Sequence, residues 1–542
     1  MLRRRAIVLT AAAAALPLGC ATPASFPVAR IGDDPPAGLQ PILAPQRIVK
    51  APAAPQRVID VHAHFFNARD VPVSGYLGGP VAHSRPGPIG DLMRLLAPWA
   101  EDLALLLAPD ALTEWQDLIG RAGSARVQAV EPAELRKTLD AARQAHLQAV
   151  SRRVFEILGG SRFETEFNRQ KGAVAPRIRS LQGTEGAPLG ADSLFNAMQR
   201  DRPGATPGAA TLSLDSPAID ELPPYTDGVL AFLGYMLSYR WMNLLAYQQA
   251  YSTQDGAFGV DRVLGALVDF DHWLMPPPHV AHEDQIRLHQ LLSQLSGGYM
   301  LPLVAYNPWT DARSGGQLLR QRVLDAIDHR GFVGVKIYPP NGFRPLGNSR
   351  HPLAVKGAPT PGELDQALRA MWRACAARDV PVMAHSGHSM GSDDAHEDMA
   401  GPLGWQDLLT AFEHEKAPVA NTGHFGGEDP RYAWTEEIAA LMDAPGGSAL
   451  YADLGYWSDL RCNGARGACG ARPRLQQALQ RHPVAAQRLM YGSDWLMLSQ
   501  ERRWDRYPAE IAAATQSLVD PDALFGGNAM QCFRRLTAVA QG

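Results

Sequence analysis

The sequence is poor in basic runs. Beyond Arg3, Arg4 and Arg5, no long cluster of Lys and Arg occurs in its 542 residues, and the formal net charge is -4. A nucleic-acid-binding surface needs a basic stripe, so no nucleic-acid partner is expected. Cysteine is scarce too. The five (Cys20, Cys375, Cys462, Cys469 and Cys532) include no C-x-x-C pair, which argues against a zinc-thiolate site. No repeat period of the solenoid kind is visible. No apolar run is long and clean enough to span a bilayer, which takes roughly 20 residues. Residues 6–18 are too few, and the apolar stretch 229–250 holds Arg240 and Asn243. Disorder is excluded as the main theme by a composition of 46% hydrophobic and 20% charged residues, ample for a large core.

What is present begins with a targeting pattern. Arg3 to Arg5 form a positive start, residues 6–18 a short apolar stretch, and Leu18-Gly19-Cys20 its end. This reads as a secretory signal over 1–19. Gly19-Cys20 resembles a bacterial lipoprotein processing site, which implies a lipid anchor on Cys20. Pro17 stands where that pattern usually has Leu, and ordinary cleavage near Ala21 or Ala24 is the alternative. Arg4-Arg5-Ala6-Ile7-Val8 is weakly similar to a twin-arginine signal. The expectation is an exported protein, periplasmic or membrane-anchored. In that oxidising compartment Cys462 and Cys469, either side of a flexible loop, are candidates for a local disulfide, free thiols being the alternative.

Residues 20–56 are rich in Pro and Ala and read as an extended tether. Order begins with the β-rich run 58–66. From 263 onward, apolar runs of strand length (263–270, 300–306, 332–338, 381–385, 419–424, 449–454 and 489–493) alternate with helical patterns at 283–295, 317–329, 361–378, 405–414, 436–443 and 474–487. Alternation of this kind predicts a parallel sheet with crossover helices, and eight strands predict an α/β fold of the (β/α)8 TIM-like barrel type. The barrel is then 57–67 plus 263–542. Residues 68–262 are a large, mainly helical insertion after strand 1, with helical patterns at 89–107, 132–158 and 229–251. Loops at that end of a barrel strand lie over the active-site mouth, so the insertion reads as a lid or specificity subdomain. Its apolar helices need a partner surface, supplied by the barrel rim or by a second subunit in a homo-oligomer.

Ligand-type residues stand at the strand ends. His62-Ala63-His64 ends the first, and side chains two apart share one side of a strand. Lys336 lies in Gly-Val-Lys-Ile-Tyr-Pro-Pro, His385 ends Pro-Val-Met-Ala-His, His424 ends Asn-Thr-Gly-His, and Asp494 lies in Tyr-Gly-Ser-Asp-Trp. Imidazole and carboxylate are ligands for zinc, manganese or iron, and barrel strand ends converge on one mouth.

In this order the residues resemble the amidohydrolase superfamily, its amidohydrolase-related branch in particular. The resemblance covers 58–66 and 263 to the C-terminus, including Leu524-Phe525-Gly526-Gly527-Asn528. It implies one or two divalent metals, most readily zinc. His62, His64 and Asp494 would hold one ion and His385 and His424 a second, with Lys336 bridging both once carboxylated by carbon dioxide. A metal-activated hydroxide would then attack a C–N or ester carbonyl of a small-molecule substrate, with Asp494 as the base. Two alternatives stay open. In one, Lys336 is a salt-bridged core lysine, one metal sits on His62, His64, His385 and Asp494, and His424 is the acid or base of a decarboxylase or hydratase. In the other, the chain is a non-enzymatic, ligand-binding surface lipoprotein. Further candidates are Arg344 for a substrate carboxylate, His388 for the pocket lining, and Trp457 with Tyr456 for an aromatic wall. Asp269 and Asp271 read as structural or pocket-lining.

Overall fold

The structure is a computed structural model and describes residues 30–84, 88–128, 130–158, 228–272, 278–355, 357–461 and 470–536. The expected signal segment, Cys20, Cys462 and Cys469 lie outside them. Eight parallel strands form one sheet in sequence order: β1 Ile59–Ala63, β2 Arg262–Ala266, β3 Met300–Ala305, β4 Gly334–Ile337, β5 Val382–Gly387, β6 Ala420–Gly426, β7 Leu450–Asp453 and β8 Leu489–Met490. The unbroken apolar runs suit strands covered on both faces. Backbone bonds beyond the short β8 close the sheet on itself: Val61 N–H donates to Tyr491 O at 3.1 Å, and Asp494 N–H donates to His62 O at 2.6 Å. The expected TIM-like barrel is the fold of the chain, so its strand ends share one mouth.

Helices return the chain between strands, at His282–Leu295, Leu324–His329, Pro361–Ala377, Pro402–Ala411, Trp434–Asp443 and Ala471–Arg481. One shows how local chemistry sets the ends. Thr360 N–H donates to Glu363 Oε2 at 2.7 Å, and Glu363 N–H donates to Thr360 Oγ1 at 3.3 Å. That capping box satisfies two orphan donors, and Pro361 takes the position where an N–H is not needed. Leu364, Leu368, Met371, Trp372 and Cys375 then recur at helical spacing and are buried. Inside the barrel Ile59, Val61, Leu264, Leu301, Leu303 and Met383 form an aliphatic plug, closed by Phe533 and Leu536.

The described part of the insertion is helical: Pro88–Leu107, Ala111–Gln128, Pro132–Leu158, Gly228–Met236 and Arg240–Gln248. The second of these is not evident from sequence, since Gly120 and Gly123 dilute its propensity. It is held by the burial of Trp115, Leu118, Ala122 and Ala125. The helix expected over 229–251 is two helices, with Tyr239 extended between them (ψ 143°). Buried Arg240 accounts for the break. It donates to Asp70 Oδ1 and Oδ2 at 2.8 and 2.7 Å and to Glu114 Oε2 at 2.8 Å, partners that a charge at such depth requires.

The first of these helices meets the rim beside the loop after β8, and the second runs down the barrel flank. The Tyr235 ring lies 5.4 Å from Trp495. Lower down, Tyr247 Oη donates to Asp60 Oδ2 at 2.6 Å, and Val260 N–H, just before β2, donates to Tyr251 O at 2.9 Å. Rim and flank are thus the partners of the apolar stretch 230–245. The tether expectation also needs correction from Arg30 on. Residues 30–56 form no helix or strand, yet Ile31, Ile42 and Leu43 are buried. Leu43 N–H donates to Leu295 O at 2.7 Å and Val49 N–H to Ser252 O at 2.6 Å, so apolar residues spaced through the Pro/Ala background seat the segment on the barrel. No helix among the described residues is long and apolar enough to cross a membrane.

Candidate metal centre

The site starts with an irregularity in β1. Its register shifts between Asp60 and Ala63. An extra residue in a strand re-aims side chains, so Val61 joins the interior plug while its neighbour His62 also turns to the mouth. Two glycines make room for His62. A Cβ on Gly455 would lie 2.7 Å from His62 Nδ1, and one on Gly492 would lie 2.8 Å from His62 Cβ.

All six residues at the strand ends are brought together. Asp494 Oδ1 lies 3.2 Å from His64 Nε2 and 3.5 Å from His62 Nε2. Lys336 Nζ is 3.4 Å from the same His62 Nε2. The ring of His424 is 4.6 Å from that of His62 and 4.4 Å from that of His385, centroid to centroid. His62, His64 and Asp494 form the tightest group, with one ligand atom of each within 4.8 Å of the others. His424 (φ 67°) and Asp494 (φ 55°) both hold left-handed backbone, costing on the order of 1–2 kcal/mol each for a residue with a Cβ.

Each imidazole has one nitrogen tied to an oxygen. His62 Nδ1 pairs with Asp453 Oδ1 at 3.0 Å, His64 Nδ1 with Ala266 O at 2.8 Å, and His424 Nδ1 with Gly455 O at 2.9 Å. His385 Nε2 pairs with Gly387 O and Ser389 Oγ, both at 3.1 Å. In His62, His385 and His424 the oxygen partner takes the ring N–H, so the other nitrogen keeps its lone pair, which is how ligating histidines are oriented; His64 faces an oxygen on both sides, its Nε2 lying 3.2 Å from Asp494 Oδ1. Burial favours the same neutral form. It pushes His62 down to about 3 against the pull of Asp453, and it lowers His385 and His424 too. Burial alone would raise the Asp494 carboxyl, but the bond from His64 and the nearby imidazoles outweigh it and hold it at about 2. Imidazole nitrogens beside an ionised carboxylate are a ligand set that fits a divalent transition-metal ion.

Lys336 is 1% exposed. Burial pulls its amine down to about 8, with Asp453 and Asp494 opposing. Among the described residues it forms no ion pair within 4 Å, and its hydrogen-bond partner is His62. The salt-bridged core lysine is therefore not what the structure contains.

The other candidates have different surroundings. The Arg344 guanidinium donates to Asp398 O at 2.8 Å. His388 sits 2.9 Å from Glu397 Oε2 and stacks on Tyr432 at 3.9 Å. Trp457 Nε1–H donates to His424 O at 2.8 Å, so it supports the backbone of that histidine. Asp269 accepts from Asp271 N–H at 2.9 Å, a loop-stabilising bond. Sequence reading missed Asp453. It ends β7 and gathers His62, the backbone of His424 (3.1 Å) and Asn421 (2.7 Å). Its signal was available: a carboxylate at the end of an apolar strand, level with the other ligand-bearing ends.

Residues 299–535, which carry β3 to β8, match the family model described as Amidohydrolase. The match leaves out β1, β2 and the insertion. No curated protein matches the chain. Among solved structures, a probable 2-pyrone-4,6-dicarboxylic acid hydrolase from Acinetobacter baumannii is similar at 14% identity, covering 51% of this chain and 84% of that one (TM-score 0.32). An uncharacterised TIM-barrel protein from Bordetella bronchiseptica is similar at 15% identity over 57% and 85% (TM-score 0.35). A 5-carboxyvanillate decarboxylase from Sphingomonas paucimobilis is similar at 12% identity over 51% and 79% (TM-score 0.33).

Proposed function

We propose that the protein is a metal-dependent hydrolase acting on a C–N or ester carbonyl of a small molecule. The observation that carries this reading is Lys336: a buried amine with no carboxylate within 4 Å among the described residues, beside the Nε2 of His62. A lysine so placed is suited to carboxylation, which would make it an anionic ligand between two ions. His62, His64 and Asp494 would hold one ion, and His385 and His424 a second. Such ions polarise a carbonyl and lower the pKa of water. The ionised Asp494 carboxylate accepts the proton that the attacking water loses and returns it to the leaving group. Asp453 holds His62 in one tautomer, and Gly455 O does the same for His424. The positive start, apolar stretch and Gly19-Cys20 support an exported enzyme, anchored if Cys20 is lipidated.

A one-metal decarboxylase is the second reading. It is favoured by the grouping of His62, His64 and Asp494, whose ligand atoms lie within 4.8 Å of one another, a single compact site that His385 would complete. His424 is then the proton donor. Metal analysis of the purified protein and of Lys336→Ala separates the two. Two ions per chain falling to one or none supports the hydrolase. One ion in both proteins replaces it with the decarboxylase.

A further inference from the structure

We propose that Tyr76, contributed by the insertion, is a specificity-determining residue. It forms the outer wall of the pocket over the metal centre and limits the size of an uncharged part of the substrate. The proposal rests on the reading above that the histidine cluster is the reaction centre.

Tyr76 ends the short helix Val73–Tyr76, the first helix after β1. Its hydroxyl lies 3.7 Å from Met390 Sδ, in the loop after β5. The hydroxyl of Tyr338, just after β4, donates to Met390 O at 3.4 Å, and the Tyr338 ring stands 5.1 Å from His385. On the other side of the mouth is Tyr456, after β7, bonded to Glu501 Oε1 at 3.1 Å. Burial raises both of these phenols, and Tyr76 and Asp494 each lie close enough to add to the effect on both. Through Met390, Tyr76 is thus joined to the Tyr338 phenol that packs beside His385.

The loop that Tyr76 touches is connected to the site. Met390 holds φ 62° and Tyr456 φ 54°. Strained backbone persists only where its surroundings support it, and phenols from two elements grip Met390. The residue before it, Ser389, bonds His385. A second contact, His83 Nε2 to Asp394 Oδ1 at 3.1 Å, fastens the same insertion segment to the same loop. The wall so formed is ring edge, hydroxyl and thioether. Hydroxyl and thioether carry no charge, so a charged substrate tail would lose hydration against them.

The test uses the full-length, metal-loaded protein with Tyr76→Ala and Tyr76→Phe. Metal release is followed with a small flat chelator, dipicolinate, and a bulky one, EDTA. Hydrolysis is followed across p-nitrophenyl esters from acetate to hexanoate. The Ala variant is expected to speed release to EDTA relative to dipicolinate. It should also raise the hexanoate-to-acetate ratio of kcat/KM by about tenfold or more, the scale on which pockets discriminate by methylenes. The Phe variant keeps the ring and should keep the wild-type ratios. Tyr76→Leu replaces the Ala variant if that one does not fold. Unchanged ratios in a variant with wild-type thermal stability overturn the proposal. A wild type inert on every ester, with the chelator ratio still shifted, supports the role of Tyr76 and removes the hydrolase reading.

Discussion

Replacing Asp453 by asparagine removes a charge from the metal centre and almost no volume. Asp453 Oδ1 accepts from His62 Nδ1–H at 3.0 Å, His424 N–H at 3.1 Å and Gly455 N–H at 2.9 Å. Oδ2 accepts from Asn421 Nδ2 at 2.7 Å. An asparagine that keeps its oxygen toward the three donors turns its NH2 toward Asn421. The Asn421 oxygen has no hydrogen-bond partner among the described residues, so rotating that amide converts a clash into a bond. The network of contacts survives and the charge does not. Charge-assisted bonds are about twice as strong as neutral ones. Losing the partner behind a ligating histidine typically costs about 10–100-fold in metal affinity, or roughly 1.4–2.7 kcal/mol. Burial raises the Asp453 carboxyl, but His62, His424 and Gly455 hold it well below its ordinary value. A carboxylate depressed in this way stabilises the fold above its unfolded pKa, and that contribution is lost as pH falls through the folded value. Asp453→Asn should therefore be less stable than wild type at neutral pH and converge with it in strong acid. Competitive titration with a chromophoric chelator at pH 7 gives the affinity, and thermal unfolding gives the stability. A folded Asp453→Asn protein with wild-type metal affinity would refute the assignment of Asp453 as the group that orients His62.

Two other expectations concern the scaffold. Arg240→Met leaves Asp70 and Glu114 buried without their counter-charge, which should cost about 3–5 kcal/mol; a denaturant midpoint near wild type would show that the network is not what holds the two helices at Tyr239. Burial pushes His282 and His289 from 6.5 down to about 4. The unfolded chain therefore binds more protons between those values, and stability falls as pH drops from 6.5 toward 4, by on the order of 3 kcal/mol per group. His289→Leu should flatten the fall measured by unfolding at a series of pH values, and an unchanged slope would exclude His289 as a contributor.

The strand ends were legible because a parallel strand buried on both faces is a nearly unbroken apolar run. A polar residue at its end stands out, as His64, Lys336, His385, His424 and Asp494 do. Helix starts were legible wherever the signal is local, as in Thr360-Pro361-Gly362-Glu363. Asp453 was overlooked because nothing near it in sequence separates a carboxylate that orients a ligand from one that caps a loop. Its partner His62 lies 391 residues away. The break at Tyr239 was equally hidden. The pattern over 229–251 favours one helix, and it is Asp70 and Glu114, from two other segments, that draw Arg240 aside. Tyr76 does not stand out in sequence until the fold sets it against Met390, which Tyr338 also touches. Sequence alone determined the elements and the residues at their ends, because periodicity and capping depend on chain neighbours. Tertiary structure alone decided which groups hold those residues, because a buried charge or a ligating imidazole must find its partner wherever the path of the chain brings one within hydrogen-bond reach.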